Sequence, residues 1–164
     1  MQFLEMEFAD PLYRPAVGMM ILNDDNKIFV GQRLDNKDPA WQMPQGGIGP
    51  HENTDQAMLR ELQEEIGTRD VEIIVKSKRW YKYDLPPTLA KRLWNGKYKG
   101  QKQLWYALRF RGRDEDIDVH TYHPEFRTWK WVDKEELLDI IVPFKRDLYT
   151  RVFKDLWIYV LEQK

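Results

Sequence analysis

Apolar and polar positions change their period several times along this chain, and each change marks an element. Val17 to Leu22 is a continuous apolar run that reads as a strand. The turn cluster Asn23-Asp24-Asp25-Asn26 separates it from a second strand at Ile28 to Arg33, so the two are expected to form a hairpin. A loop with Asn36, Asp38 and Pro39 leads to Trp41-Gln42-Met43-Pro44 and then to the glycine-rich Gly46-Gly47-Ile48-Gly49-Pro50. From about Asn53 to Ile66 the period becomes helical, with Ala57, Met58 and Leu62 on one side and Gly67 as the stop. Val71 to Val75, Lys78 to Tyr83 and Gln103 to Phe110 read as strands. Trp129 to Val132 is a short strand before a helical Lys134 to Ile140. Pro143 opens a long helix whose stripe of Leu148, Val152, Leu156 and Val160 is read as core. Strands interleaved with two substantial helices predict an α/β sandwich.

Composition narrows the class. The chain has 164 residues, 42% hydrophobic and 32% charged, which suits a soluble globular protein of one domain spanning 1–164. No apolar run approaches bilayer length, so no membrane partner is expected. Glu5, Glu7 and Asp10, with no basic residue before them, argue against a secretory signal or a transit peptide. The absence of cysteine excludes disulfides and thiolate metal sites, and a cytoplasmic protein is expected. The net charge of −1 hides an asymmetry: Lys76 to Arg113 holds twelve Lys or Arg and one acid, Asp84, and Asp114 to Asp118 then holds four acids. Two readings stand, a pair of solvated loops or a basic face for a polyanion.

The chemistry concentrates between Gly46 and Thr68. Glu64 and Glu65 project within about 60° of Glu61 on the expected helix. Carboxylates packed on one helical face repel each other. A solvated acidic face is the ordinary explanation. Here the helix follows a glycine-rich loop, Arg60 stands beside the acids, and Glu52 can reach them from the loop. Clustered carboxylate oxygens are what a hard divalent cation requires.

Gly46, then Glu52, then Arg60-Glu61-Leu62-Gln63-Glu64-Glu65-Ile66-Gly67 resembles the Nudix box at the family's spacing. Thr68 departs from it, standing where an aliphatic residue is usual. The resemblance implies the Nudix α/β/α sandwich with a mixed sheet. It implies a hydrolase that cuts phosphoanhydride bonds with Mg²⁺, or Mn²⁺ or another divalent cation. By the same resemblance Glu61 and Glu65 are metal ligands, Glu64 is a ligand or base, the Gly46 carbonyl joins the coordination, and Glu52 and Arg60 are a structural pair.

Outside the box the sequence is similar to the bacterial RNA pyrophosphohydrolases and the related asymmetrical dinucleoside tetraphosphate hydrolases. The stretches are Tyr13-Arg14-Pro15, Trp41 to Ile48, Gly100-Gln101-Lys102-Gln103, Pro124-Glu125-Phe126, Trp129 to Val132 and Val142 to Arg146. His51 departs where the subgroup has glycine. The resemblance implies Glu125 as a further metal ligand or base, and Arg33 and Phe144 as plates around a base. Arg14, Lys102 and Lys145 are suited to phosphate oxygens, and Tyr83 to a phosphate contact. Phe144 and Tyr83 read equally as core aromatics. Trp80, Trp94, Trp105, Trp129 and Trp131 read as core, and His120 and His123 as surface residues.

The expected substrate is the 5′-triphosphate end of RNA, whose conversion to a monophosphate initiates decay. A dinucleoside polyphosphate split to ATP and AMP is the neighbouring reading, and DNA is not expected. Nothing in the sequence indicates a protein partner. A non-catalytic module on the same fold would show eroded box glutamates, and all four are present. A hydrolase of free nucleoside triphosphates or ADP-ribose would share only the box.

Overall fold

The computed structural model describes residues 10–35, 40–122 and 124–163. Glu5, Glu7, the Asn36–Asp38–Pro39 loop and His123 lie outside the described residues.

The frame of the fold is a pair of parallel strands. Strand β1 (Tyr13–Leu22) runs beside β7 (Gly100–Phe110) in unbroken register from Tyr13 opposite Gly100 to Leu22 opposite Arg109. Both strands are buried on both faces, which explains why Val17 to Leu22 is apolar without alternation. The sheet runs β3-β2-β1-β7-β5, with β2 (Ile28–Arg33), β3 (Trp41–Gln42) and β5 (Val71–Lys76). Strand β4 (Gln45–Gly47) pairs with β1, β6 (Tyr81–Asp84) with β7, and β8 (Phe126–Val132) with β2. Parallel and antiparallel pairs together make the sheet mixed.

The expected β1–β2 hairpin forms only at its root, where Leu22 pairs with Ile28. The rest of that edge of β1 is taken by β4, with Val17 opposite Gly46 and Gly18 opposite Gln45. The glycine-rich segment is thereby fixed in the middle of the sheet.

Each face carries one main helix. Helix α1 (Thr54–Ile66) packs Ala57, Met58, Leu62 and Ile66 on Val17, Met19, Ile21, Leu104 and Tyr106. Its ends follow the sequence signals. Asn53 caps the N-terminus in a reciprocal box with Gln56, and Gly67 ends the helix in the left-handed region at φ 76°. Helix α4 (Arg146–Leu161) covers the other face, with Leu148, Val152, Leu156 and Val160 all buried against Met20, Trp105 and Ala107. Burying these side chains stabilises the sandwich by about 1.5–3 kcal/mol each.

Three sequence expectations change. Residues 77–80 are not strand, and β6 begins at Tyr81. Pro143–Lys145 is a 3₁₀ turn ahead of α4 rather than its first turn. Helix α2 (Pro87–Trp94), inside the basic stretch, was not anticipated. Pro86-Pro87 reads as a turn, yet Pro87 at the first turn of a helix lacks only an N–H that would be unpaired there. The short helix α3 (Lys134–Ile140) lies where expected. No helix of the described residues is long and apolar enough to cross a membrane.

Candidate active site

Arg60 organises the acids. Its Nε and Nη2 donate to Glu52 Oε2 at 2.7 Å and Oε1 at 2.9 Å. Nη1 donates to Glu61 Oε1 at 2.8 Å and Glu64 Oε2 at 3.2 Å, and Nη2 also reaches the Gly47 carbonyl at 2.8 Å. One guanidinium thus ties three glutamates of the motif to the loop beneath them. Glu52 closes that loop by accepting the Gly49 N–H at 2.7 Å. This bond survives beside His51, which is exposed. Thr68 is half-buried, and its hydroxyl accepts the Asp70 N–H. Neither departure disturbs the site.

The fourth acid is different. Glu65 lies on the inner side of α1, 4% exposed, and its Oε2 is buried with no hydrogen-bond partner in the protein. Burial raises its pKa well above the ordinary carboxylate range, and the charges of Glu61 and Glu125 add to this. Arg33 and the Gln45 N–H oppose the shift. Glu61 is also raised, by burial first, with Arg60 opposing and Glu64 and Glu125 contributing. Glu125 is exposed, in the segment before β8, and its charge reaches both.

Glu61 lies against Gly46 so closely that a Cβ built there would be 1.9 Å from the carboxyl carbon. The Arg14 guanidinium covers Gly47 in the same way, with Nη2 at 2.5 Å from a Cβ position. These two approaches explain glycine at both positions. Among the described residues, no three of the acids yet stand in a geometry that would hold an ion as they are. The physical reason is that Arg60 draws Glu61 and Glu64 toward itself. The donor set nevertheless suits a hard cation. It offers an orphaned buried carboxylate oxygen and two desolvated carboxylates that repel each other.

Beside the acids opens a cavity of about 460 Å³. Arg33, Tyr83, Phe144 and Lys145 all line it. The Phe144 ring stacks on Tyr83, centroids 6.4 Å apart at 28°. Arg33 is held rigid by Asp35, Nε to Oδ1 at 2.7 Å and Nη2 to Oδ2 at 2.5 Å. Lys145 is 4% exposed and donates to Gln42 Oε1 at 3.1 Å. Burial, then the nearby Arg33 charge, pulls its pKa down to about 7. Gln45 lines the cavity and its backbone N–H is hydrogen-bonded to Glu65, so acids and cavity adjoin.

The cavity floor is a glutamine network that the sequence reading did not single out. Tyr83 Oη donates to Gln101 Oε1 at 2.9 Å, and Gln103 Nε2 donates to Gln101 and Gln45 at 2.8 and 2.7 Å. Trp105 Nε1 completes the network on Gln103 Oε1 at 2.9 Å. Strand alternation was the available signal. Gln101 and Gln103 share one face of β7, and Lys102 between them faces the other.

Lys102 stands apart from the cavity. It is fully buried, with its ammonium 5.7 Å from the centre of the Trp80 ring. Trp94 packs half-buried against the core, as expected, and also lines the cavity from α2 together with Arg92. Trp80 and Trp105 are buried as expected, Trp129 and Trp131 are half-buried against Phe29, and His120 is exposed. The basic stretch does not form one face. Arg109 is buried against Asn23 and Asn26, and Arg79, Lys82 and Arg111 pair with Asp155, Asp10 and Glu72.

The fold and the glutamate helix on its glycine loop define a class. The NUDIX domain family matches residues 12–152, and this chain belongs to it. Among curated relatives, the chain is 55% identical over 149 residues to the RNA pyrophosphohydrolase of Rickettsia typhi, covering 91% of this chain and 92% of that protein. It is 57% identical over 143 residues to the RNA pyrophosphohydrolase of Rickettsia bellii, covering 87% and 89%. Two solved structures share the fold at 19% identity. The E. coli dihydroneopterin triphosphate pyrophosphohydrolase has a TM-score of 0.65 over 85% of this chain and 96% of that one. A C. elegans Ap4A hydrolase binary complex has a TM-score of 0.63 over 88% and 98%.

Proposed function

We propose that this chain converts the 5′-triphosphate end of RNA to a 5′-monophosphate by hydrolysing a phosphoanhydride bond, initiating decay of that RNA in the cytoplasm. The observation that carries the reading is the junction of the two halves of the site. A carboxylate cluster opens directly beside a cavity lined by a rigid guanidinium, a stacked aromatic pair and a buried lysine. The names and identities of the relatives support it.

The division of labour follows from the geometry. Phe144 and the Asp35-locked Arg33 offer two flat surfaces for a nucleobase, a sequence-tolerant way of holding RNA. Arg14 and Lys145 supply positive charge for phosphate oxygens. Glu61 and Glu65, with Glu64, Glu125 and the Gly46 carbonyl, are the groups that would hold a divalent cation such as Mg²⁺. That cation would neutralise phosphate oxygens and acidify water. Glu64 and Glu125, both exposed, are the groups that would accept the proton of the attacking water. Arg60 keeps the acids in place throughout.

A dinucleoside tetraphosphate is the second reading. It is favoured by Trp94 on the wall formed by α2, a further aromatic surface in the same cavity for a second base. The test is a side-by-side assay with Mg²⁺ on triphosphorylated RNA, dinucleoside tetraphosphate, ATP and ADP-ribose. RNA is expected to have the highest kcat/KM. A wide preference for ADP-ribose or ATP overturns the reading.

A further inference from the structure

A second cavity of about 260 Å³ is lined from β5, β6 and α4. Strand β6 borders both, and the 3₁₀ turn that opens α4 brings that helix to the edge of the first. Tyr83 of β6 lines the first cavity and Tyr81 lines the second. Two residues apart on one strand, they share a face and stand roughly 7 Å apart. Lys145, at the start of α4, lines the first cavity, and Asp155, Leu156 and Tyr159 line the second. Ten residues of helix from Lys145 to Asp155 span about 15 Å. The two cavities are stations along the seam where β6 meets α4.

The charge of the second station is positive. Lys76, Lys78 and Arg79 line it, against the single acid Asp155 among its described residues. That acid is already engaged. Its Oδ2 accepts from Arg79 Nε at 2.9 Å, from Arg79 Nη2 at 2.6 Å and from Tyr81 Oη at 2.6 Å. Lys76 is partly neutralised by Asp55 at 3.3 Å. Lys78 is exposed, and among the described residues that line this cavity the one acid, Asp155, is bound to Arg79 and Tyr81 instead. Arg151 of α4, ion-paired with Asp147 at 3.1 Å, reaches across to β6. It donates to the Lys82 carbonyl at 3.2 Å and lies 5.9 Å from the centre of the Tyr81 ring. Tyr159 adds a half-buried aromatic face.

Cations interleaved with aromatic rings are the chemistry of single-stranded nucleic acid. We infer that the surface along this seam holds the RNA chain that follows the nucleotides in the first cavity, with a phosphate on Lys78 and a base on Tyr159. The inference rests on the reading of RNA as substrate. It adds a physical reason for preferring RNA, since a dinucleoside polyphosphate ends within the first cavity and gains nothing from the second. Phosphate contacts of this kind are indifferent to sequence and weaken with salt.

The test uses Lys78→Glu and Tyr159→Ala, two side chains outside the buried core. KM is measured on a triphosphorylated dinucleotide, on a triphosphorylated single strand of about ten nucleotides and on dinucleoside tetraphosphate. Both variants are expected to raise KM for the longer RNA about fivefold or more at low salt, with kcat unchanged and the two short substrates moved less than twofold. Lys78→Glu should also lower the salt slope of longer-RNA binding by about 0.7. An unchanged KM for the longer RNA overturns the inference, and the seam's cations then face some other partner. An equal change on short and long substrates also overturns it. A wild-type protein that does not cut RNA at all removes the underlying reading instead, and the two failures are told apart by that control.

Discussion

Arg60 and Glu52 meet in a two-pronged ion pair, Nε to Oε2 at 2.7 Å and Nη2 to Oε1 at 2.9 Å, and the same guanidinium also grips Glu61 and Glu64. Both partners are partly exposed, so screening leaves the pair little to add to global stability. Its effect is positional. Glu52→Gln is expected to lower kcat/KM about 10–100-fold, the range seen when a support behind functional ligands is lost. The melting temperature should move by no more than a few degrees. A large loss of thermal stability with activity retained per folded molecule would contradict this assignment.

Gly46 is required by contact rather than by backbone conformation. A methyl group there displaces the Glu61 carboxylate, which is the free end of a flexible side chain and can swing away. Gly46→Ala should therefore fold, with an unchanged circular dichroism spectrum, and lose at least about tenfold in kcat through misplacement of a functional group. A variant with wild-type kcat would remove Glu61 from the site.

Lys145 is expected to make substrate binding depend on pH. Its folded pKa of about 7 lies below the ordinary lysine value, so between about pH 7 and 10.5 the folded protein binds fewer protons than the unfolded chain. Folding stability from this group therefore rises with pH across that window. Phosphate binding needs the ammonium and runs the opposite way. KM for RNA is expected to rise by up to about tenfold per pH unit above 7. Lys145→Ala should flatten that rise, and a profile of unchanged slope in the variant would contradict a phosphate contact.

Phe144 should contribute through its ring face. Phe144→Ala is expected to raise KM by about 5- to 150-fold, corresponding to about 1–3 kcal/mol for one stacked base. Phe144→Tyr should restore most of this. If leucine restores it equally well, the ring packs against the protein and not against a base.

The chemistry was easier to read from the sequence than the geometry that houses it. Helix α1 was legible end to end because Asn53 and Gly67 carry local signals that need no tertiary context. The spacing of Glu52, Arg60 and the three helical glutamates was equally local. Burial was not. Nothing in the spacing distinguishes the inward Glu65 from the exposed Glu64, since only packing against the sheet decides which side of α1 is covered. The burial of Lys102 was equally hidden, because only the strand alternation and the packing around it turn its side chain inward. The α2 wall was missed because a double proline reads as a turn, and its short apolar face makes sense only above the cavity it closes.

The most direct test of the account follows 5′ ends on a triphosphorylated RNA with Mg²⁺ present or chelated, for wild type, Glu61→Gln and Glu65→Gln. The account predicts accumulation of 5′-monophosphate RNA by the wild type with Mg²⁺ and none under chelation. It predicts a loss of about a thousandfold or more in each variant while the fold persists. Conversion that continues under chelation, or that survives in both variants, contradicts it.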